Sequence, residues 1–134
     1  MAQDRKEQLK AAAAEYFKAL AEKDFQLIPY AEDVVLRAPL APGGVQNPLR
    51  GRENLRTTWW APLPGVLGEV KVFDFYFNAD LTAVVGEAEV EIRSSPPARL
   101  RVADRFTVNT DGKIVEQVNH FDPRDVTHPG WQKA

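Results

Sequence analysis

Leu100-Arg-Val-Ala-Asp-Arg-Phe-Thr-Val108 alternates as a β-strand does, and its reading decides the fold. Leu100, Val102, Asp104, Phe106 and Val108 fall on one face, and Arg101, Ala103, Arg105 and Thr107 on the other. Successive strand side chains point to opposite faces, so a period of two with one apolar side marks a half-buried strand. Asp104 therefore stands among four large apolar side chains on the inward face. A buried carboxylate is costly unless paired, and in such a place a carboxyl tends to hold its proton. That makes Asp104 the first candidate site residue. Arg101 and Arg105 are poor partners for it, because odd positions point the other way.

The strand runs into Asn109-Thr-Asp-Gly112, a hairpin signal with glycine placed for positive φ. Lys113 to Phe121 is its partner strand. Two hairpin registers are open. A three-residue loop would put Val118 opposite Asp104 and His120 diagonal to it. A four-residue loop would put Gln117 opposite and Asn119 diagonal. Upstream, Val66–Phe77 and Leu81–Ile92 read as two further long strands, separated by the turn Asn78-Ala-Asp80. Glu87, Glu89 and Glu91 share one side of theirs, and Arg99, Arg101 and Arg105 the outward side of the next. Antiparallel pairing sets these opposite charges side by side.

The first half is mainly helical. Asp4–Glu22 is rich in alanine, lysine, glutamate and leucine, with Leu9, Ala13, Tyr16, Phe17 and Leu20 on one face. Asp24 is placed to cap a short helix over Phe25–Tyr30, and Val34–Ala38 reads as a strand. Prolines and glycines make 39–48 a loop. Arg52–Trp60 reads as a third helix, stopped before Pro62, with Leu55 and Trp59 on one face. Residues 122–134 read as an irregular tail, with Trp131 clamping it onto the sheet or a partner subunit. Helices followed by consecutive antiparallel strands predict one α+β domain over 1–134: a cone of helices on the concave face of a bent sheet, enclosing a pocket.

Composition narrows the function. The chain has 134 residues, 44% of them hydrophobic, and a net charge of −2, so it can fill one core and offers no basic stripe for nucleic acid. It has no cysteine, which removes disulfides, thiolate chemistry and cysteine-based zinc sites. His120 and His128 make a poor metal pair by spacing. No apolar run reaches the roughly 18 residues of a membrane span, and the polar start Met1–Lys10 is no signal peptide. A cytoplasmic domain is expected. Pro42-Gly-Gly44 lacks the setting and lysine of a phosphate loop.

Three passages resemble the nuclear transport factor 2-like superfamily in its SnoaL-like branch, with its ketosteroid isomerase-like, cystatin-like cone. Tyr16-Phe-Lys-Ala-Leu-Ala-Glu-Lys-Asp24 resembles the first-helix motif of ketosteroid isomerases, whose tyrosine donates a hydrogen bond to the substrate oxygen. Asp104-Arg-Phe-Thr-Val-Asn-Thr-Asp-Gly-Lys113 resembles the strand and hairpin that carry their protonated aspartic acid, a worked case of an acid kept neutral by an apolar site. Tyr30-Ala-Glu-Asp-Val-Val-Leu-Arg-Ala-Pro39 resembles the segment carrying the base, but Ala38 stands where that aspartate would be. An enolising isomerase needs an abstractor as well as oxyanion donors. The resemblance also extends to polyketide cyclases, in which a pocket aspartate acts as acid or base in ring closure.

These readings give a set of expectations. Asp104 exchanges a proton, Tyr16 holds an oxygen, and His120 is a further catalytic candidate. Trp59, Phe106, Asn119, Phe121 and Ala38 line the ligand site; of Trp59 and Trp60, which are adjacent, one faces the pocket. The expected function is a cofactor-free isomerase or cyclase acting on a hydrophobic, carbonyl-bearing cyclic or polyketide-like molecule. The alternative is a non-catalytic binding module for an apolar ligand. An epoxide hydrolase of the limonene type would need an Asp-Arg-Asp relay that the inward positions do not supply. The resemblance further implies a homodimer through the outer sheet face, with no metal, nucleic acid or membrane partner.

Overall fold

The first helix, α1 (Ala2–Glu22), buries the stripe foreseen for it: Leu9, Ala13, Tyr16, Phe17 and Leu20 are all enclosed. Lys23 ends it in the left-handed region at φ 58°. In the computed structural model the described residues are 2–95 and 97–127. After α1, Asp24 accepts a hydrogen bond from the Gln26 amide and caps a single 3₁₀ turn, Phe25–Leu27. The longer helix expected to Tyr30 does not form. Pro29 stops it, and Tyr30 instead opens β1 (Tyr30–Arg37), where Ile114 donates its amide to the Pro29 carbonyl.

A two-residue strand, β2 (Leu49–Arg50), then pairs antiparallel with β1. The third helical segment spans the residues expected of it but changes pitch. A short α-helical piece, α2 (Arg52–Asn54), runs into a π-helical turn, Leu55–Trp60. A wider turn brings residues five apart onto one face. Leu55 and Trp60 are therefore the buried pair, rather than Leu55 and Trp59. Trp60 packs on Phe25 at 5.6 Å between ring centroids.

Four long strands complete the chain: β3 (Leu67–Phe77), β4 (Ala83–Ile92), β5 (Ala98–Val108) and β6 (Ile114–His120). The sheet has six strands in the order β2-β1-β6-β5-β4-β3. All neighbours are antiparallel except β1 and β6, which run parallel. Register slips interrupt β3 between Val72 and Asp74 and β6 opposite Thr107 and Val108. Such bulges bend a strand and increase its twist, which curves the sheet around α1. Where α1 meets the sheet, β4 carries Gly86. A Cβ there would lie 2.4 Å from Phe17 Cε2. Only a residue without a side chain lets the helix come so close. Arg5 ties the start of α1 to two turns, donating to the carbonyls of Leu81, Val108 and Asn109 at 2.7 to 2.9 Å.

The outer face carries the expected charges, paired diagonally. Arg99 meets Glu89 at 3.1 Å and Arg101 meets Glu87 at 3.0 Å. After β6, Arg124–Thr127 forms a helical turn, α3, where the tail was expected to be irregular. His128 and Trp131 lie outside the described residues.

Candidate functional site

Asp104 sits in the middle of β5, facing Gly86 on β4 and Asn119 on β6. It is 2% exposed, and its Oδ1 is the one buried side-chain polar atom among the described residues with no hydrogen-bond partner. Among the described residues no cation offsets its charge. Arg101 and Arg105 turn outward as their parity requires, Arg105 towards Glu116. Arg37 on β1 pairs with the same Glu116. Removal from water therefore holds the Asp104 carboxyl well above the usual carboxylate range. Burial favours the protonated form of Asp104, which can donate a hydrogen bond.

Tyr16 reaches the same place from α1. Its ring stacks on Trp59 at 6.4 Å, tilts against Phe106 at 5.0 Å and meets Phe17 edge-on at 5.2 Å. Three aromatic neighbours leave the ring one orientation. Burial raises the hydroxyl well above its ordinary value, and proximity to Asp104 and Tyr30 adds to this. Hydrogen bonding with the Gln117 and Asn119 amides pulls the other way.

The hairpin register matches neither expected alternative. Asn109 donates its amide to Lys113, as in the three-residue loop, but the slip that follows adds one residue to β6. Asn119 is thereby set directly opposite Asp104 and Gln117 opposite Phe106, with both amides buried. The same slip corrects the place of His120. It lies opposite Ala103, exposed on the outer face, and takes no part in the pocket.

Beside Tyr16 and Asp104 opens a cavity of about 360 Å³. Trp59, Asn119, Phe121 and Ala38 line it as expected. Phe106 does not. It is fully buried beneath Tyr16 and Phe17 and acts as the floor on which they rest. The 39–48 loop contributes Leu40 and Pro42 to the lining, and Pro62 and Leu63 contribute from the segment after the π-helical turn. Tyr16 and Asp104 are the titratable groups of this lining, and Ala38 offers it only a methyl group.

Two residues that were not singled out complete the polar wall. The Tyr30 hydroxyl donates to Gln117 Oε1 at 2.6 Å, and Gln117 Nε2 donates to Asn119 Oδ1 at 2.9 Å. Burial raises the Tyr30 hydroxyl well above its ordinary value. The signal that found Asp104 was available for Gln117: a polar residue at an inward strand position among apolar ones. Among the described residues no cluster of three His, Cys, Asp or Glu is arranged to hold a metal ion. No helix there is long and apolar enough to cross a membrane.

Fold and cavity together define an α+β cone with a single buried acid in its pocket. Residues 13–117 match the SnoaL-like domain, and the chain belongs to that family. No curated protein matches it by sequence. Solved structures share the fold at low identity. A Bacillus subtilis protein provisionally described as an isomerase superposes with a TM-score of 0.79 at 19% identity, covering 95% of each chain. The epoxide hydrolase/cyclase-like enzyme SalBIII, described as having a role in pyran ring formation in the polyether salinomycin, gives 0.73 at 20%, covering 92% of this chain and 94% of its own. A Δ5-3-ketosteroid isomerase from Mycobacterium sp. gives 0.72 at 16%, covering 88% and 95%.

Proposed function

We propose that this chain is a small-molecule enzyme of the isomerase or cyclase type, acting on a hydrophobic, carbonyl-bearing cyclic or polyketide-like compound. The observation that carries this reading is a buried Asp104 carboxyl, its Oδ1 without a hydrogen-bond partner, beside Tyr16 at one wall of an apolar cavity. Tyr16 and Asp104 would donate hydrogen bonds to the substrate oxygen. Such donors gain strength where water is excluded and charge develops on that oxygen. Asp104 would also deliver the proton that ring closure or enol collapse requires, and recover it afterwards. The reaction uses side chains alone. Family membership and fold neighbours that include an isomerase and a cyclase-like enzyme support the reaction class.

The test is turnover of a panel of cyclic β-keto compounds by the wild-type chain, Asp104→Asn and Tyr16→Phe. Positioned acid–base groups contribute about 10²- to 10⁴-fold, so Asp104→Asn should lose at least the lower figure. Undiminished turnover in both variants would remove these roles. A second reading is a binding module that uses the same pocket without chemistry. Ala38 favours it, since the base of the resembling isomerases has no counterpart in the cavity wall. Tight binding of the panel with no turnover of any member would decide for that reading.

We further propose that the outer sheet face pairs two copies. Phe73 and Tyr76 are exposed there beside the Glu/Arg pairs. Sedimentation at graded concentrations reads this directly, and a monomer at every concentration would exclude it.

A further inference from the structure

The polar wall has a direction, imposed from its far end. Tyr30 lies on β1, outside the cavity lining, and is 5% exposed. Its hydroxyl donates to Gln117 Oε1, and Gln117 is wholly buried. An amide accepts only at its oxygen and donates only at its nitrogen. Once the Gln117 oxygen is engaged by Tyr30, its nitrogen must face Asn119, and it donates to Asn119 Oδ1. With that oxygen occupied, the NH₂ end of Asn119 is what remains for the Tyr16 hydroxyl and for the cavity that both line. A reversed Gln117 amide would donate to the Tyr30 oxygen and leave the buried phenol proton without an acceptor, whereas without Tyr30 nothing at this end opposes the reversal.

We propose that Tyr30 and Gln117 are positioning residues that aim the Asn119 amide into the cavity as a third hydrogen-bond donor, so that the pocket selects ligands presenting an acceptor oxygen. This rests on the cavity being a ligand site, as proposed above. Asn119 faces Asp104 across the β5–β6 pair, which sets its NH₂ on the same wall as the Tyr16 hydroxyl and the Asp104 acid. An oxygen held there meets donors from α1, β5 and β6 together. A ligand of equal shape without an acceptor leaves the donor capacity that faces the cavity, that of Asp104 above all, without a partner, and an unmade buried hydrogen bond is expensive. Tyr30 and Gln117 touch no ligand in this scheme. They act only through Asn119 and Tyr16.

The experiment compares two isosteric probes, 2-acetonaphthone and 2-isopropenylnaphthalene, which differ by C=O against C=CH₂. Binding is followed by quenching of tryptophan fluorescence, since Trp59 lines the cavity. The wild-type chain should prefer the ketone. Tyr30→Phe and Gln117→Met should each cut the ketone-to-alkene affinity ratio about threefold to tenfold, the worth of one hydrogen bond, while alkene affinity holds. An unchanged ratio overturns the proposal. So does an equal loss of both probes, which would mark Tyr30 and Gln117 as structural only. If the wild-type chain binds neither probe, the ligand-site reading fails; if it binds both equally, that reading stands and the positioning proposal fails alone. A measurement on the wild-type chain needs no variant to fold: the Asn119 side-chain amide resonances should shift on adding the ketone and stay in place with the alkene. Resonances that ignore the ketone overturn the proposal.

Discussion

Gly86→Ala adds one methyl group at the closest approach of helix and sheet. Its carbon would lie 2.4 Å from Phe17 Cε2 and 3.0 Å from Cζ. Phe17 has no free direction in which to yield. It is 2% exposed, and its ring is held edge-on by Tyr16 at 5.2 Å and Phe106 at 6.2 Å. Relief must come from moving α1 away from β4 or from an off-rotamer ring. Overpacking of this kind costs about 1–3 kcal/mol. Alanine regains about 0.5–1 kcal/mol, because glycine loses more backbone freedom on entering a strand. At a 2.4 Å approach the steric cost is the larger, so a net loss of up to about 2.5 kcal/mol is expected, a fall in Tm of up to about 10 °C for a domain of this size. Thermal and urea unfolding measure it. Phe17→Leu removes the clashing ring atoms, so Gly86→Ala should cost less in that background, and the double-mutant cycle should be non-additive. If Gly86→Ala is neutral or stabilising, α1 does not rest on β4 as described, and the placement of Tyr16 fails with it.

Asp104→Asn should change the pH dependence of stability. The folded-state pKa of Asp104 is raised by burial above its unfolded value of about 3.9. The folded chain therefore binds more protons between the two values. The contribution is fully present below the unfolded pKa and is lost as pH rises through the folded one, at about 1.4 kcal/mol per pH unit. The wild-type stability relative to the variant should decline over that window in pH-stepped urea denaturation, and parallel curves would refute the shift. Arg5→Lys should cost about 1–3 kcal/mol, because one ammonium cannot span the three carbonyls that the guanidinium fork reaches. Unchanged urea stability would show that the staple is dispensable.

Much of this was legible in the sequence where side chains repeat with a clean period. The stripe of α1 and the alternation of β4 and β5 gave their buried faces directly, including Asp104 and its separation from Arg101 and Arg105. What escaped was set by single-residue irregularities. The slip in β6 follows no pattern in Ile114–Gln117, yet it decides that Asn119 faces Asp104 and that His120 faces solvent. The π-helical turn buries Trp60 with Leu55, where period 3.6 groups Leu55 with Trp59, because the local turn is wider. The parallel pairing of β1 with β6 joins residues far apart in the chain, and β2 is only two residues long, so neither carries a local signal. Phe106 was expected at the pocket because its face was right. Its depth was not readable, since Tyr16 and Phe17 lie over it only after α1 has docked.

The central claim is that burial keeps Asp104 protonated in the folded chain over a pH range in which exposed aspartates ionise. Carbon-13 NMR of the side-chain carboxyl, with Asp104→Asn to assign it, reads this without substrate or assay. The account predicts that the Asp104 signal keeps its protonated position at pH values where the exposed aspartates have already ionised. A signal that titrates together with them, near the unperturbed value of about 3.9, would contradict it.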